Sequence, residues 1–142
     1  MIRHISSIGE VVEDVDAAVA FYEGLGLKVH RENPGYAVLD IPGVLHFGIW
    51  SREDAAESTF GTKDAADRVQ LGFSVGFEVD DVDEAGTLVT DRTVRGAADE
   101  PWGQRTLRFT LPSGALSEFS AAPWARELET NVTPKATEAA ST

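Results

Sequence analysis

The stretch VEDVDAAVAFYEGLGL, residues 12–27, decides the fold, because it predicts the end of a strand followed by one short helix. Asp14 can accept hydrogen bonds from the free N–H groups of the first helical turn. Gly24 and Gly26 end the helix at little cost, since glycine can adopt positive φ. Apolar residues at three- and four-residue steps form one stripe that the helix would bury: Val15, Val19, Tyr22 and Leu25.

The same motif returns 67 residues later, where VEDVDAA at 12–18 reappears as VDDVDEA at 79–85. The alignment continues upstream, because it pairs Ser7 with Ser74 and Gly9 with Gly76. A long period seen twice indicates two copies of one supersecondary unit. The sequence therefore predicts a duplicated module.

Alternating and turn-bounded segments predict the order β-α-β-β-β in each copy. In the first copy the strands are expected at 5–12, 27–31, 36–41 and 44–50, with turns at 32–35 and 42–43. In the second copy the strands are expected at 71–79, near 93, at 105–111 and at 115–120, with a helix over 81–91. The predicted domains are module 1–50, a polar linker 51–68 that can include a helical turn, module 69–122 and a frayed tail 123–142. The predicted fold class is α+β.

Composition excludes several function classes. The chain has 142 residues, no cysteine and a formal net charge of −12, which is divided equally because 1–68 and 69–142 each hold 12 acids and 6 bases. Disulfides and thiolate chemistry are excluded, and nucleic acid is a poor partner because no basic stripe could neutralise phosphates. No segment resembles a signal peptide or a membrane span, so we expect a cytoplasmic protein. A cationic small molecule would be attracted, although the charge can also serve solubility alone.

The segment DEPWGQRTLRFTLPSGALSEF, residues 99–119, holds the most suggestive side chains. Trp102 lies in a Pro–Trp–Gly turn. Because an indole left in water is unfavourable, we expect it to pack against the protein or to contact a ligand. Alternation predicts that the face carrying Leu107 covers a helix and that Arg108 lies on the other face. Glu118 shares an inward face with apolar neighbours, either as a binding group or simply as the partner of Arg108.

The doubled βαβββ unit, the helix motif of 12–27 and the PWGQR…PSG…EF segment resemble the vicinal oxygen chelate superfamily, over residues 1 to about 124. This superfamily includes glyoxalase I, extradiol dioxygenases and the fosfomycin and bleomycin resistance proteins. The second segment is most similar to the metal-free antibiotic-binding branch. The resemblance implies a glyoxalase-like cup formed by two modules, and a homodimer with shared or exchanged modules.

The resemblance also implies where family enzymes hold a divalent metal: on the first and last strands of each module. Counted from the helix caps and the hairpin glycines, these positions are Ser7, Phe47, Ser74 and Glu118. Serine hydroxyls are poor metal ligands and phenylalanine is none, so we expect no metal and no cofactor. The histidines are expected on other surfaces: His46 beside Phe47 on the opposite face, His4 likewise, and His30 near the end of the second strand.

The sequence thus favours a metal-free protein that sequesters an aromatic or cationic natural product such as an antibiotic, with no catalytic residue. In this hypothesis Trp102 stacks on flat rings, the serines donate hydrogen bonds, and Arg108 and Glu118 fix polar groups. The complete predicted binding set is Ser7, Tyr36, Phe47, Trp50, Ser74, Trp102, Arg108 and Glu118. Two alternatives stay open: a lyase, isomerase or dioxygenase-like enzyme with Glu118 as base or metal ligand, and a scaffold with an empty cup.

Overall fold

The computed structural model describes residues 1–41 and 46–122, and within them both predicted modules are present. The first contains β1 (Ile2–Val12), α1 (Val15–Gly24), β2 (Lys28–Asn33), β3 (Tyr36–Asp40) and β4 (Phe47–Ser51). Between the modules lie α2 (Arg52–Phe60) and a 3₁₀ helix (Lys63–Arg68). The second contains β5 (Gly72–Val79), α3 (Val82–Gly86), a 3₁₀ helix (Thr87–Arg92), β6 (Thr93–Asp99), β7 (Arg105–Thr110) and β8 (Leu116–Ala121).

All eight strands form one sheet, in the order β2-β3-β4-β1-β5-β8-β7-β6. Within each module the first and last strands run parallel, and β1 and β5 join the modules as antiparallel neighbours. The register of that central pair matches Ile8 with Val75, which are the residues that the 67-residue repeat makes equivalent. The pseudo-two-fold axis of the duplication therefore passes between these two residues. One chain therefore contributes both halves of the cup to a single sheet.

The helix caps form as the repeated motif predicts. The carboxylate of Asp14 accepts from the backbone N–H of Ala17, and that of Asp81 accepts from Glu84, both at 3.1 Å. Gly26, just beyond α1, adopts φ +89°. Val19 and Tyr22 of the predicted stripe pack on the sheet, together with Ala18. One member of the stripe is wrong, because Leu25 follows the last helical residue and is exposed.

Each module places its helix on the convex face of the sheet. Under α1 lie Ala37, Leu39 and Ile49, and under α3 lie Leu107, Phe109 and Phe119. The predicted alternation in β7 is therefore correct. Gly86 explains the weak helix-forming sequence of α3, since a Cβ there would lie 2.7 Å from Leu107 Cδ1. Glycine lowers the helix propensity of α3, but it allows the helix to approach the strand closely.

The segment 51–68, predicted as a linker, is instead an ordered part of the core. The Ser51 hydroxyl accepts from Asp54 N and caps α2, which ends at Gly61 with φ +84°. Ala55 and Ala56 are fully buried against Val11 and Leu116 on the concave face. The helix was missed because its buried side is made of alanines, which give no strong apolar periodicity. It closes one end of the cup.

Some predictions lie outside the described residues: the turn at 42–43, the start of the fourth strand at Val44, and the frayed tail 123–142. Among the described residues, none of the helices combines the length and the apolar character that a membrane span needs.

Candidate functional site

The concave face of the sheet forms a cleft of about 880 Å³ that both modules and the intervening segment line. This volume suits a drug-sized molecule. Small residues of β1 and β5 form the floor, and α2 and the hairpins β2-β3 and β6-β7 form the walls. Seven of the eight predicted binding residues line it: Ser7, Tyr36, Trp50, Ser74, Trp102, Arg108 and Glu118.

Phe47, the eighth, does not reach the cleft. It packs with α1 on the convex face, 5.9 Å between ring centroids from Tyr22. The parallel registers explain the error, because Gly76 pairs with Glu118 in the second module and its equivalent, Gly9, pairs with Gly48 in the first. The position equivalent to Glu118 is therefore Gly48, one residue beyond the one predicted. A shift of one residue moves every side chain to the other face.

The same correction brings His46 into the cleft, contrary to prediction. Its Nε2 lies 2.5 Å from the hydroxyl of Tyr36, and a Cβ added to Gly48 would lie 3.0 Å from that hydroxyl and 3.2 Å from Nε2. The phenol–imidazole pair thus occupies the place of a side chain on Gly48. Burial lowers the pKa of His46, although Glu32 opposes the shift, so the imidazole is neutral at pH 7. Burial, with contributions from Glu32 and Glu118, raises the pKa of Tyr36 to about 12. His4 and His30 do not line the cleft.

Glu118 places a carboxyl group in the second module's half of the cleft, with 23% of its side chain exposed. Burial raises its pKa, a shift that Arg108 opposes and that Glu100 and Glu78 reinforce. Its nearest cation is Nε of Arg108, 3.8 Å from Oε2. Within the described residues it accepts no hydrogen bond, so a ligand can become its main polar partner.

Arg108 lines the cleft, but it makes its hydrogen bonds to the protein itself. Its side chain is only 7% exposed, and Nη1 donates to both the carbonyl oxygen and the hydroxyl of Ser58 at 2.7 Å. Ser58 lies in the last turn of α2, where carbonyl groups have no helical partner and a cation is favoured. The guanidinium carbon also lies 5.7 Å from the Trp50 ring centroid. Arg108 therefore holds α2 and Trp50 in position beside Glu118.

A second ion pair, between Arg95 and Glu100, lies in the β6-β7 hairpin. Arg95 Nη1 and the Thr106 hydroxyl donate to Glu100 Oε1 at 2.5 and 2.8 Å. Burial raises the pKa of Glu100, but hydrogen bonds from Arg95 and Thr106 outweigh it and hold that pKa below the usual value. Glu100 thus stays ionised, and its field is one cause of the raised pKa of Glu118.

Trp102 lies at the tip of the same hairpin, as predicted, and 58% of its surface is exposed. The turn closes through Gly103, with φ +89° and an N–H that donates to the Glu100 carbonyl. Indole Nε1 donates to Gln104 Oε1 at 2.8 Å. These contacts hold the indole at the rim of the cleft with much of its surface in water.

Ser7 and Ser74 lie at pseudo-symmetric places on the floor. Each faces a glycine of the neighbouring strand, because Ser7 pairs with Gly76 and Ser74 pairs with Gly9. A Cβ on Gly76 would lie 2.6 Å from the Ser7 hydroxyl oxygen, so that hydroxyl fills the space above the glycine. The floor is therefore made of serines and glycines. Because these residues are small, the cleft is deep.

These residues do not fit a divalent metal. The four positions at which the superfamily holds its ion are Ser7, Gly48, Ser74 and Glu118 once the register is corrected. One carboxylate and two neutral hydroxyls make a poor donor set. The described ranges contain no group of three or more His, Asp or Glu arranged to hold an ion.

Sequence reasoning missed three features of the site: His46, Gly48 and the α2 wall with Ser58. The Ser-x-x-Asp pattern at 51–54, followed by Gly61, was the available signal for α2, since it combines an N-cap with a C-terminal glycine. The place of His46 depended on a register that no local pattern determines.

Comparison with known proteins agrees with this architecture. A family model described as "Bleomycin resistance protein-like N-terminal" matches residues 11–42, which include α1 and the hairpin β2-β3. No match is found among curated protein sequences.

Solved structures show the fold at low sequence identity. A methylmalonyl-CoA epimerase from Streptomyces coelicolor is 21% identical, with a TM-score of 0.60 over 87% of this chain and 99% of that one. A glyoxalase/bleomycin resistance protein/dioxygenase superfamily member from Vibrio splendidus is 18% identical, with a TM-score of 0.58 over 85% and 99%. A methylmalonyl-CoA epimerase from Mycobacterium tuberculosis is 21% identical, with a TM-score of 0.58 over 85% and 89%. The chain therefore has the fold of the glyoxalase/bleomycin resistance protein/dioxygenase superfamily, the vicinal oxygen chelate proteins that its sequence resembles.

Proposed function

We propose that this protein binds and sequesters a cationic aromatic small molecule in the cleft between its two modules, without a metal, and that this binding confers resistance to a natural product such as an antibiotic. One observation carries the proposal: Glu118, a carboxylate that accepts no hydrogen bond within the described residues, lies in a drug-sized cleft whose walls carry aromatic side chains. The match of residues 11–42 to a bleomycin resistance protein-like model supports the same reading.

Electrostatics favours a cation. The cleft is lined by four carboxylates, Asp54, Glu57, Glu78 and Glu118. Among the described residues, the two lining cations already have partners, because Arg108 donates to Ser58 and Lys63 lies 3.4 Å from Asp54. The net charge of −12 adds a long-range attraction. An anionic ligand would be repelled by this negative charge, and both described lining cations already have other partners.

Aromatic side chains supply the contact area. Trp50 and Tyr36 are cross-strand partners on β4 and β3, and Trp102 faces the cleft from its rim. Tryptophan and tyrosine offer large, rigid surfaces for flat rings, and an indole face also attracts a cation. The binding roles predicted for Trp50 and Trp102 are retained. That of Arg108 is revised to positioning.

Calorimetric titration with three matched probes tests the proposal: naphthylmethylamine, naphthylmethanol and naphthaleneacetate. We expect affinity to fall in that order, and the amine to lose most when salt is added. The matched control for Glu118→Gln is Glu23→Gln, which removes the same charge from the exposed side of α1. Only Glu118→Gln should abolish the preference for the amine. Equal affinity for all three probes would contradict a cation site.

An enzyme that uses Glu118 as a general base is the second candidate. It is favoured by the raised pKa of this carboxyl, since a base buried in a cleft and tuned toward neutral pH suits proton abstraction. Two of the three solved structures described above are epimerases. Deuterium uptake by methylmalonyl-CoA in heavy water, lost in Glu118→Gln, would support this candidate. The acidic cleft disfavours so anionic a substrate.

A further inference from the structure

The binding proposal uses the Tyr36 ring as a contact surface, but it has not used the hydrogen bond between the Tyr36 hydroxyl and His46. Strand pairing fixes both residues, because Ile8 N donates to the His46 carbonyl at 2.9 Å and Tyr36 pairs with Trp50. The two rings lie nearly parallel, 15° apart. The pair fills the space that the absent side chain of Gly48 leaves, at the place equivalent to Glu118. The cleft therefore faces a ligand with a carboxylate on one side and a phenol–imidazole pair on the other.

The direction of the hydrogen bond between the rings decides what the pair offers a ligand. Both groups are neutral near pH 7. A phenol is a good donor and a neutral imidazole nitrogen is a good base, whereas a phenol oxygen is a weak base. The O–H···N arrangement is therefore stronger than N–H···O, and the phenol proton points to His46 Nε2. The Tyr36 oxygen then presents its lone pairs to the cleft.

We infer that the ligand carries its positive charge on an N–H group that donates to Glu118 and to the Tyr36 oxygen, with His46 holding the phenol proton away from the ligand. The class selected is a primary or secondary ammonium, or an amidinium, attached to an aromatic ring. A quaternary ammonium would be attracted by Glu118 but would have no proton for Tyr36. This inference rests on the proposed function and specifies the chemistry of its cation.

Two probes of equal charge test it: naphthylmethylamine and its N,N,N-trimethyl derivative, titrated into wild type and Tyr36→Phe. The phenylalanine keeps the ring and removes only the oxygen. We expect Tyr36→Phe to weaken the amine about ten- to a hundredfold, as the loss of one hydrogen bond to a charged donor requires. Affinity for the trimethyl derivative should be unchanged, which also shows that the variant is folded.

His46 is tested by a pair of substitutions. His46→Leu removes the acceptor, so the phenol proton can turn toward the ligand, and the amine should lose affinity while the trimethyl derivative does not. His46→Gln supplies a carbonyl oxygen as acceptor and should restore affinity for the amine. A merely structural histidine would change both probes together.

The results of these titrations distinguish a failure of the proposed function from a failure of the role inferred for Tyr36 and His46. If wild type binds neither probe, the proposed function itself is wrong. If wild type binds both and Tyr36→Phe leaves the amine unchanged, or weakens both probes equally, the cation site stands and the role of Tyr36 and His46 is overturned.

Discussion

Glu118 of β8 and Gly48 of β4 occupy equivalent positions in the two modules, because each pairs with the corresponding glycine of its module's first strand, Gly76 or Gly9. The duplication has therefore kept a carboxylate on one side and no side chain on the other. The space beside Gly48 is taken by Tyr36 and His46. This asymmetry distinguishes the two halves of a pseudo-symmetric cup, because one carries a carboxylate where the other carries a phenol–imidazole pair.

The asymmetry predicts that the protein binds no stoichiometric metal. Purified protein should contain less than one equivalent of zinc, iron, nickel or manganese by elemental analysis, and a chelator should leave its melting temperature unchanged. The reason is the set Ser7, Gly48, Ser74 and Glu118, which offers one good donor. One equivalent of metal per chain would contradict this prediction.

Glu118→Gln should stabilise the protein at neutral pH. Burial raises the pKa of Glu118 in the folded state, so the ionised carboxyl opposes folding and stability increases as the pH falls through that raised pKa. Removing the charge should raise the melting temperature near pH 8. The gain should shrink as the pH falls toward the ordinary range of a glutamate. Melting curves across this range check it, with Glu23→Gln as the control, and a gain independent of pH would argue against a titration effect.

The same titration should govern ligand binding with the opposite trend. A cationic probe needs the carboxylate, so its affinity should fall as the pH drops through the raised pKa of Glu118. A neutral probe of the same shape should be insensitive to pH over this range. Calorimetry with naphthylmethylamine and naphthylmethanol measures the difference, and parallel curves for the two probes would rule Glu118 out as the cation partner.

Much of the fold was predictable because it is encoded locally and twice. Asp14 and Asp81 cap helices at equivalent places, and the alternation around Leu107 faces α3 as expected. The repeat also made Ser7 and Ser74 equivalent, and the family resemblance implied that both would lie in one cup, whose floor they share. Such features depend on a few neighbouring residues, which a sequence displays directly.

The rest was not predictable because it depends on register and on long-range contacts. His46 and Phe47 were assigned to each other's faces, since the count from the hairpin glycine was one residue short of the actual pairing. Ser58 meets Arg108 across 50 residues, so nothing near either residue indicates the contact. The sequence indicated a ligand-binding role for Arg108. In the structure this arginine mainly holds α2, which forms one wall of the cleft.

Arg108→Ala should destabilise the fold and loosen α2. The substitution leaves the Ser58 carbonyl without its donor and removes the cation next to Glu118, at a cost of about 2–3 kcal/mol. Ser58→Ala removes only the hydroxyl and should cost about 1 kcal/mol. Arg92→Ala is the control, because this exposed arginine also donates to a carbonyl oxygen, that of Thr110, but at 3.4 Å. Urea unfolding measures all three, and equal losses for Arg108 and Arg92 would show that Arg108 does not hold α2.

We also predict a homodimer in solution. A series of aromatic rings crosses the convex face, with centroid distances of 5.2 Å from Phe21 to Tyr22 and 5.9 Å from Phe47 to Phe73. Phe21 and Phe73 are 61% and 56% exposed, and apolar surface of this kind marks interaction sites. Light scattering at micromolar concentration should give twice the chain mass. Phe73→Ser should reduce it and Leu88→Ser, an exposed residue outside the series, should not; a monomeric wild type would refute the prediction.

Trp102→Ala should weaken a flat aromatic cation by about tenfold or more without unfolding the protein. Stacking contributes roughly 0.5–1.5 kcal/mol beyond the apolar area that the indole buries, and 1.4 kcal/mol corresponds to a factor of ten. Stability should change little, because 58% of Trp102 is exposed and its side chain bonds only to Gln104 of its own turn. Phe21→Ala, which removes an equally exposed ring from the convex face, is the matched control. Titration of both variants with naphthylmethylamine checks the prediction. If Trp102→Ala kept full affinity with its fold intact, the ligand would have to lie deeper, between Trp50 and Glu118, and the rim would serve only as an entrance to the cleft.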